Sequence, residues 1–225
     1  MDFMLFGLGA DDNAILDRYL NPQDSAQYQN YLAALISDSK SLIESVRDEW
    51  QNSYLATFKA SLGTDVGSGT SFLVNELNRD LEVIKTASIG IPIGKQTFGQ
   101  ALPGKCEALY SAHSISLIVA QLESIERIYK GTSLAGADGY GLKEALDALE
   151  AQYQGGSLTE AIDAQFTAAK SAAQAIPTPL SDAVVSNAPS VENAYTEVQK
   201  LVILLKTDMA SAMSILITYT DADGD

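Results

Sequence analysis

Residues 21–62, NPQDSAQYQNYLAALISDSKSLIESVRDEWQNSYLATFKASL, decide the fold. The stretch opens on Asn21-Pro22-Gln23-Asp24, a strong helix start. Asparagine caps, proline suits the first turn, and an aspartate favours the positive end of the helix. Its apolar residues, Tyr28, Tyr31, Leu32, Leu35, Leu42, Ile43, Val46, Trp50, Tyr54 and Phe58, recur at steps of three and four. That is the period of one helix face, so a long amphipathic helix is predicted, ending at Gly63. Tyr28, Tyr31, Trp50 and Tyr54 are expected to pack in the core, their polar ends reaching partners.

The same period runs through the rest of the chain. Upstream, Asp11 and Asp12 are placed to cap a short helix through Tyr19. Downstream, Phe72, Leu73, Leu77, Leu81 and Ile84 mark a third helix, and Leu109, Ile118, Leu122, Ile125 and Tyr129 a fourth, from about Lys105 to Tyr129. Between them Gly90 to Gly104 holds four glycines and two prolines, which predicts a loop, long for a compact bundle. A fifth helix covers Leu142 to Tyr153. Ser157 with Glu160 forms a capping box opening a sixth, broken by Pro177 and Pro179. A short piece at Ser181 to Ser186 precedes a long final helix capped by Ser190, whose stripe continues through Met213 and Leu216. No segment alternates as a strand bounded by hairpin turns. The fold class is all-α, long antiparallel helices in bundle packing.

With 225 residues and 46% hydrophobic content, the chain can build a core without disulfides. Its net charge of −15 repels phosphate backbones, which argues against nucleic-acid binding. Cys106 is the only cysteine and His113 the only histidine, so no cysteine zinc cluster and no His-x-x-x-His or Glu-x-x-His spacing exists. No stretch is long and apolar enough to span a bilayer. Asp221, Asp223 and Asp225 look like the opening of a calcium loop but lack its closing glutamate, and are expected to be a plain acidic terminus.

Glu107, Ser111 and Ser114 stand at i, i+4 and i+7, which in a helix puts a carboxylate and two hydroxyls on one face. Such a face can line a polar cleft and bind a cation or a small polar ligand. It can equally be a helix start, with Glu107 favouring the dipole and the serines bonding backbone carbonyls.

The chain opens on Met1-Asp2-Phe3-Met4-Leu5-Phe6-Gly7, which reads as the end of an apolar helix. This segment resembles the Phe-Leu-Leu-Phe-Gly-like stretch that follows the Gly-x-His-x-x-Glu motif of the imelysin-like family. Asp2 stands at the glutamate position; the glycine and histidine would lie before Met1. Further ordered matches are Gly90-Ile91-Pro92-Ile93-Gly94, the Glu107–Ser111–Ser114 set, Ile128-Tyr129-Lys130-Gly131, Gly141-Leu142 and Asp223-Gly224-Asp225.

The resemblance implies a helical protein of the bacterial cell envelope, periplasmic or outer-membrane-associated, with two bundle-like halves and a site in the cleft between them. On that reading residues 1–88 are the remainder of the first half, 89–104 a linking loop and 105–225 the second half. It implies a non-enzymatic component of iron or other metal uptake. Its cleft would be lined by Glu107, Ser111, Ser114 and His113, with Asp2 and Glu107 as oxygen donors to iron, zinc or calcium. The partners would be a metal ion or small polar ligand and an envelope iron-uptake component. A metallopeptidase, as the family's older name suggests, and a structural or peptide-binding module with a decayed metal site are the alternatives. A bundle lacking its upstream helices is expected to leave an apolar face uncovered, which a second copy or another partner would cover.

Overall fold

A computed structural model describes residues 1–219; Asp221, Asp223 and Asp225 lie outside it. The fold is all-α and falls into two compact units. One holds Met1–Ser61 with Ala108–Ser111, and the other holds Leu62–Glu107 and the chain from Ala112 onward.

The first unit contains α1 (Asp2–Phe6), α2 (Asp12–Leu20), α3 (Ser25–Glu49), a π-helical segment (Trp50–Tyr54) and α4 (Leu55–Ala60). Asp11 caps α2 as expected, its Oδ1 accepting from the Ala14 N–H at 2.8 Å. The start of α3 falls three residues later than the mid-turn proline suggests. Asn21 instead bends its carbonyl side chain onto the Gln23 N–H at 3.1 Å, closing a local turn that competes with helix. Tyr19 holds the short helices together. Its hydroxyl donates to the Met4 carbonyl at 2.6 Å and its ring meets that of Tyr28 edge-on at 6.1 Å.

The expected core position of the α3 stripe is not met. None of the residues of α1 to α4 is buried. Leu42, Ile43 and Val46 are 61%, 69% and 71% exposed, and Tyr31, Trp50 and Tyr54 are exposed too. Periodicity identifies an apolar face but says nothing of what covers it. The π segment, whose wider turn is rare in soluble helices, gathers Trp50, Tyr54 and Phe58 on one side. The three rings lie 5.1 to 6.5 Å apart.

The second unit carries the core. It runs through α5 (Gly69–Val83), a π segment (Ile84–Gly90), α6 (Ile91–Ile93), a 3-10 turn (Pro103–Lys105), α7 (Ser114–Lys130) and α8 (Leu142–Ala148). A two-residue antiparallel ladder, β1 (Gln152–Tyr153) with β2 (Gly156–Ser157), follows. Then come α9 (Leu158–Gln174), α10 (Leu180–Ser186), α11 (Ala188–Ile203), a third π segment (Leu204–Met209) and α12 (Ala210–Ala212). Helix α9 packs on both α7 and α11. Leu81, Ile118, Leu122, Ile162, Phe166, Val198 and Leu205 are all at or near zero exposure between these helices. The rings of Tyr129 and Phe166 stack at 5.7 Å in their midst. Ser157 caps α9 through the Glu160 N–H at 3.4 Å, as its spacing predicts.

Three expectations are corrected here. Phe72, predicted inward, is exposed on α5. The glycine-rich stretch after residue 89 stays helical through Ile93 and turns only at Gly94, whose φ of +92° is left-handed. Pro92 lies in the last turn of this continuous run, directly after the π segment Ile84–Gly90. The last stripe does not run helically to Leu216. Helix ends at Ala212, and the side chain of Asn75 in α5 takes up the chain beyond it. Asn75 donates to the Leu216 carbonyl at 3.1 Å and accepts from the Thr218 N–H at 2.7 Å. A long-range amide side chain thus replaces the i→i+4 ladder that the β-branched residues would have weakened.

Candidate functional site

The segment from Glu107 to Ser114 is a tight polar turn rather than a helix face. Ala108 and Ala112 have φ of 49° and 59°, left-handed values that an α-helix does not admit and that cost a non-glycine residue about 1–2 kcal/mol. Helix α7 therefore starts at Ser114, not near Lys105, and Glu107, Ser111 and Ser114 do not share one helical surface.

In the first unit, the Asp2 carboxylate accepts two successive backbone N–H groups. Its Oδ2 takes Tyr110 at 3.0 Å and its Oδ1 takes Ser111 at 3.1 Å. The Phe3 and Tyr110 rings close over this clasp, edge to face at 5.1 Å. Ser111 donates its hydroxyl to the Ala108 carbonyl at 3.4 Å. In the second unit, the buried Ser114 hydroxyl donates to the Glu107 carbonyl. The turn thus satisfies the backbone groups that its left-handed residues take out of regular pairing.

The acidic groups differ in their freedom. Burial alone would raise the Asp2 pKa. The Ser111 side chain, the Tyr110 and Ser111 N–H groups and the nearby amino terminus outweigh it and hold the carboxyl below its ordinary range. Asp2 is therefore ionised, with each oxygen already engaged once. Glu107 is exposed, and its Oε2 has one long contact, 3.5 Å from the Ser88 hydroxyl. The buried Ser88 on the second π segment is a neighbour of the turn that the sequence did not mark. His113 is exposed, and its carbonyl accepts from the Ser116 hydroxyl at 2.8 Å and the Leu117 N–H at 3.0 Å, opening α7. Cys106 is buried just before the turn, and burial pushes its thiol up to about 11, so it is protonated at neutral pH and a poor nucleophile or ligand. Among the described residues, no three His, Cys, Asp or Glu side chains are grouped to hold a metal ion.

These features fall on a recognisable family. The imelysin family model matches residues 1–207, and the chain belongs to that family. A solved structure, an imelysin peptidase from Bacteroides ovatus, has the same fold, with a TM-score of 0.64 and 22% identity. The similarity covers 76% of this chain and 50% of that one, so the chain spans about half the length of that relative. No curated protein matches the sequence. Among the described residues, no helix is long and apolar enough to cross a membrane.

Proposed function

We propose that the chain is a non-enzymatic binding protein of the bacterial cell envelope, associated with the uptake of iron or another metal, and that the turn 107–114 takes the ligand. The observation that carries this reading is the Asp2 clasp: the carboxylate at the family's motif position accepts the Tyr110 and Ser111 N–H groups. A carboxylate so engaged positions a turn; it is poorly placed to act as a general base. Glu107 supplies the exposed carboxylate and the exposed His113 of the same unit a neighbouring polar group. Oxygen donors of this kind suit iron(III), calcium or zinc.

The peptidase reading draws on the name of the solved relative. A catalytic metal asks for about three protein ligands and an open position. Of nitrogen and sulfur donors this chain offers one histidine and one buried cysteine toward that set. The two readings separate in a paired assay of the metal-stripped chain. Saturable ion binding without cleavage of a mixed peptide pool is expected. Peptide cleavage that a chelator abolishes and added metal restores would overturn the proposal.

A further inference from the structure

Helices α5 and α7 of the second unit pack on one another and leave a cavity of about 240 Å³ between them. Its lining follows one face of each helix. On α7, Gln121, Ser124, Ile125 and Ile128 stand at i, i+3, i+4 and i+7. Opposite them are Asp80, in the last turn of α5, and Ile84, one turn on and first in the π segment. The three isoleucines form an apolar wall: Ile84 and Ile125 are buried, and Ile128 is partly open to solvent.

The polar groups of this cavity are acceptors in want of donors. Asp80 is exposed, and its carboxylate makes no hydrogen bond or ion pair among the described residues. Its neighbour Arg79 turns onto Glu76 instead, at 2.5 Å. Partial burial raises the Asp80 pKa, Arg79 pulls against that rise, and Glu76 adds to it. The carboxylate thus gives up water without gaining a partner. The Oε1 of Gln121 is buried and unbonded among the described residues, which leaves its lost hydration uncompensated. The terminal torsion of a glutamine is broad, so a small rotation turns this oxygen into the cavity. Ser124 is exposed beside it, and its hydroxyl accepts as well as donates. Among the described residues, no lysine, arginine or histidine lines the cavity.

A carboxylate, an amide oxygen and a hydroxyl above an apolar wall complement an ammonium group on a short aliphatic chain. The ammonium brings three donors and one positive charge, and the chain covers the isoleucines. A bare metal ion would leave that wall unused and find a single carboxylate. The volume lies below the roughly 300–1,000 Å³ of sites for drug-sized ligands, so the occupant is small. The net charge of −15 draws cations toward the surface.

We infer that the cavity between α5 and α7 binds a small free primary alkylamine, its ammonium held by Asp80, Gln121 and Ser124 and its chain laid on Ile84, Ile125 and Ile128. This site is independent of the ligand reading above, since it uses none of the residues of the turn 107–114.

The test is a titration of the full chain with n-pentylamine, read by NMR on labelled isoleucine methyl groups. The methyls of Ile84, Ile125 and Ile128 should shift saturably, while Ile162, buried in the core outside the cavity lining, should not. n-Pentanol keeps the chain and lacks the charge, and should bind about tenfold more weakly or worse. Asp80→Asn should weaken the amine by about the same factor, as loss of a charge-assisted bond implies. Because Asp80 is exposed, this variant keeps the fold, which an unmoved Ile162 signal checks. Gln121→Leu should weaken the amine while leaving pentanol unaffected or tighter. Glu123→Gln, an exposed charge on the far side of α7, should leave the affinity unchanged. The inference is overturned by no saturable shift, by pentanol or pentanoate binding as tightly as the amine, or by full affinity in Asp80→Asn. An equal loss in Glu123→Gln overturns it too, since that is attraction by net charge alone.

Discussion

Asp2 and Ser111 are joined across 109 positions of sequence by a 3.1 Å bond from the Ser111 N–H to the Asp2 carboxylate. With its companion to Tyr110, this bond ties the first helix to the turn that carries the candidate ligand groups. The turn contains two left-handed alanines, so it stores strain that the clasp offsets.

Removing the clasp should loosen the turn without unfolding the second unit's core. Asp2→Ala strips both acceptors, and Asp2→Asn leaves a single oxygen for two N–H groups. Hydrogen exchange at Tyr110 and Ser111 is expected to speed by about tenfold or more, the value of roughly 1.5–3 kcal/mol for bonds to a charged acceptor. Exchange at Leu122 and Phe166 should be unchanged.

The clasp also has a pH signature. The Asp2 pKa is depressed in the folded chain. Its contribution is thus full above the ordinary aspartate value of about 3.9 and is lost as pH falls through the lower folded value. Amide chemical shifts of Tyr110 and Ser111 should titrate together, with a midpoint below that of an unperturbed aspartate. A midpoint at or above it would contradict the clasp.

Glu126 joins α7 to α9, accepting from Lys130 at 2.9 Å and from Lys170. Burial would raise its pKa, but the two lysines outweigh that and lower it. Glu126→Gln should cost about 1–3 kcal/mol at neutral pH. Because the folded pKa is depressed, the gap between variant and parent should close in acid as Glu126 itself protonates. Thermal melts across pH measure this.

Tyr129 offers the opposite sign. Its side chain is fully buried against Phe166, and its hydroxyl has no hydrogen-bond partner among the described residues. Burial, together with Asp163, Asp147 and Glu144, raises its pKa further. Tyr129→Phe removes an unsatisfied polar atom, so the Tm should hold or rise, by up to about 1 kcal/mol in stability. A clear loss would mean that the hydroxyl is bonded.

Gly131 closes α7 at φ +69°, and a Cβ there would stand 2.7 Å from the Gly141 backbone nitrogen. Gly131→Ala combines left-handed strain with a backbone clash and should cost about 2–4 kcal/mol by chemical denaturation.

The helices were legible because their signals are local. Asp11 and Ser157 cap where their spacing says, and the stripes of α7, α9 and α11 face the core they predict. The turn at Glu107 was not legible. Alanine carries no sign of a positive φ, and the group that stabilises the turn, Asp2, lies at the other end of the first unit's sequence. The continuation past Met213 failed for the same reason, since Asn75 is distant in sequence. The α3 stripe is apolar, as its period says, and the expectation of an uncovered apolar face did not say which face it is, because periodicity describes a face and not its neighbour. Of the candidate site, the residue types were visible; which carboxylate is engaged and which is exposed required the geometry.

Glu107 is the residue of this turn proposed to hold the ligand. The direct measurement is calorimetric titration of the metal-stripped chain with iron(III), iron(II), zinc and calcium. It is run in parallel on Glu107→Ala and on Glu123→Ala, an exposed control on α7. Saturable binding of at least one ion is expected for the parent and for Glu123→Ala, and its loss for Glu107→Ala. No binding by the parent, or equal binding by all three, would contradict it.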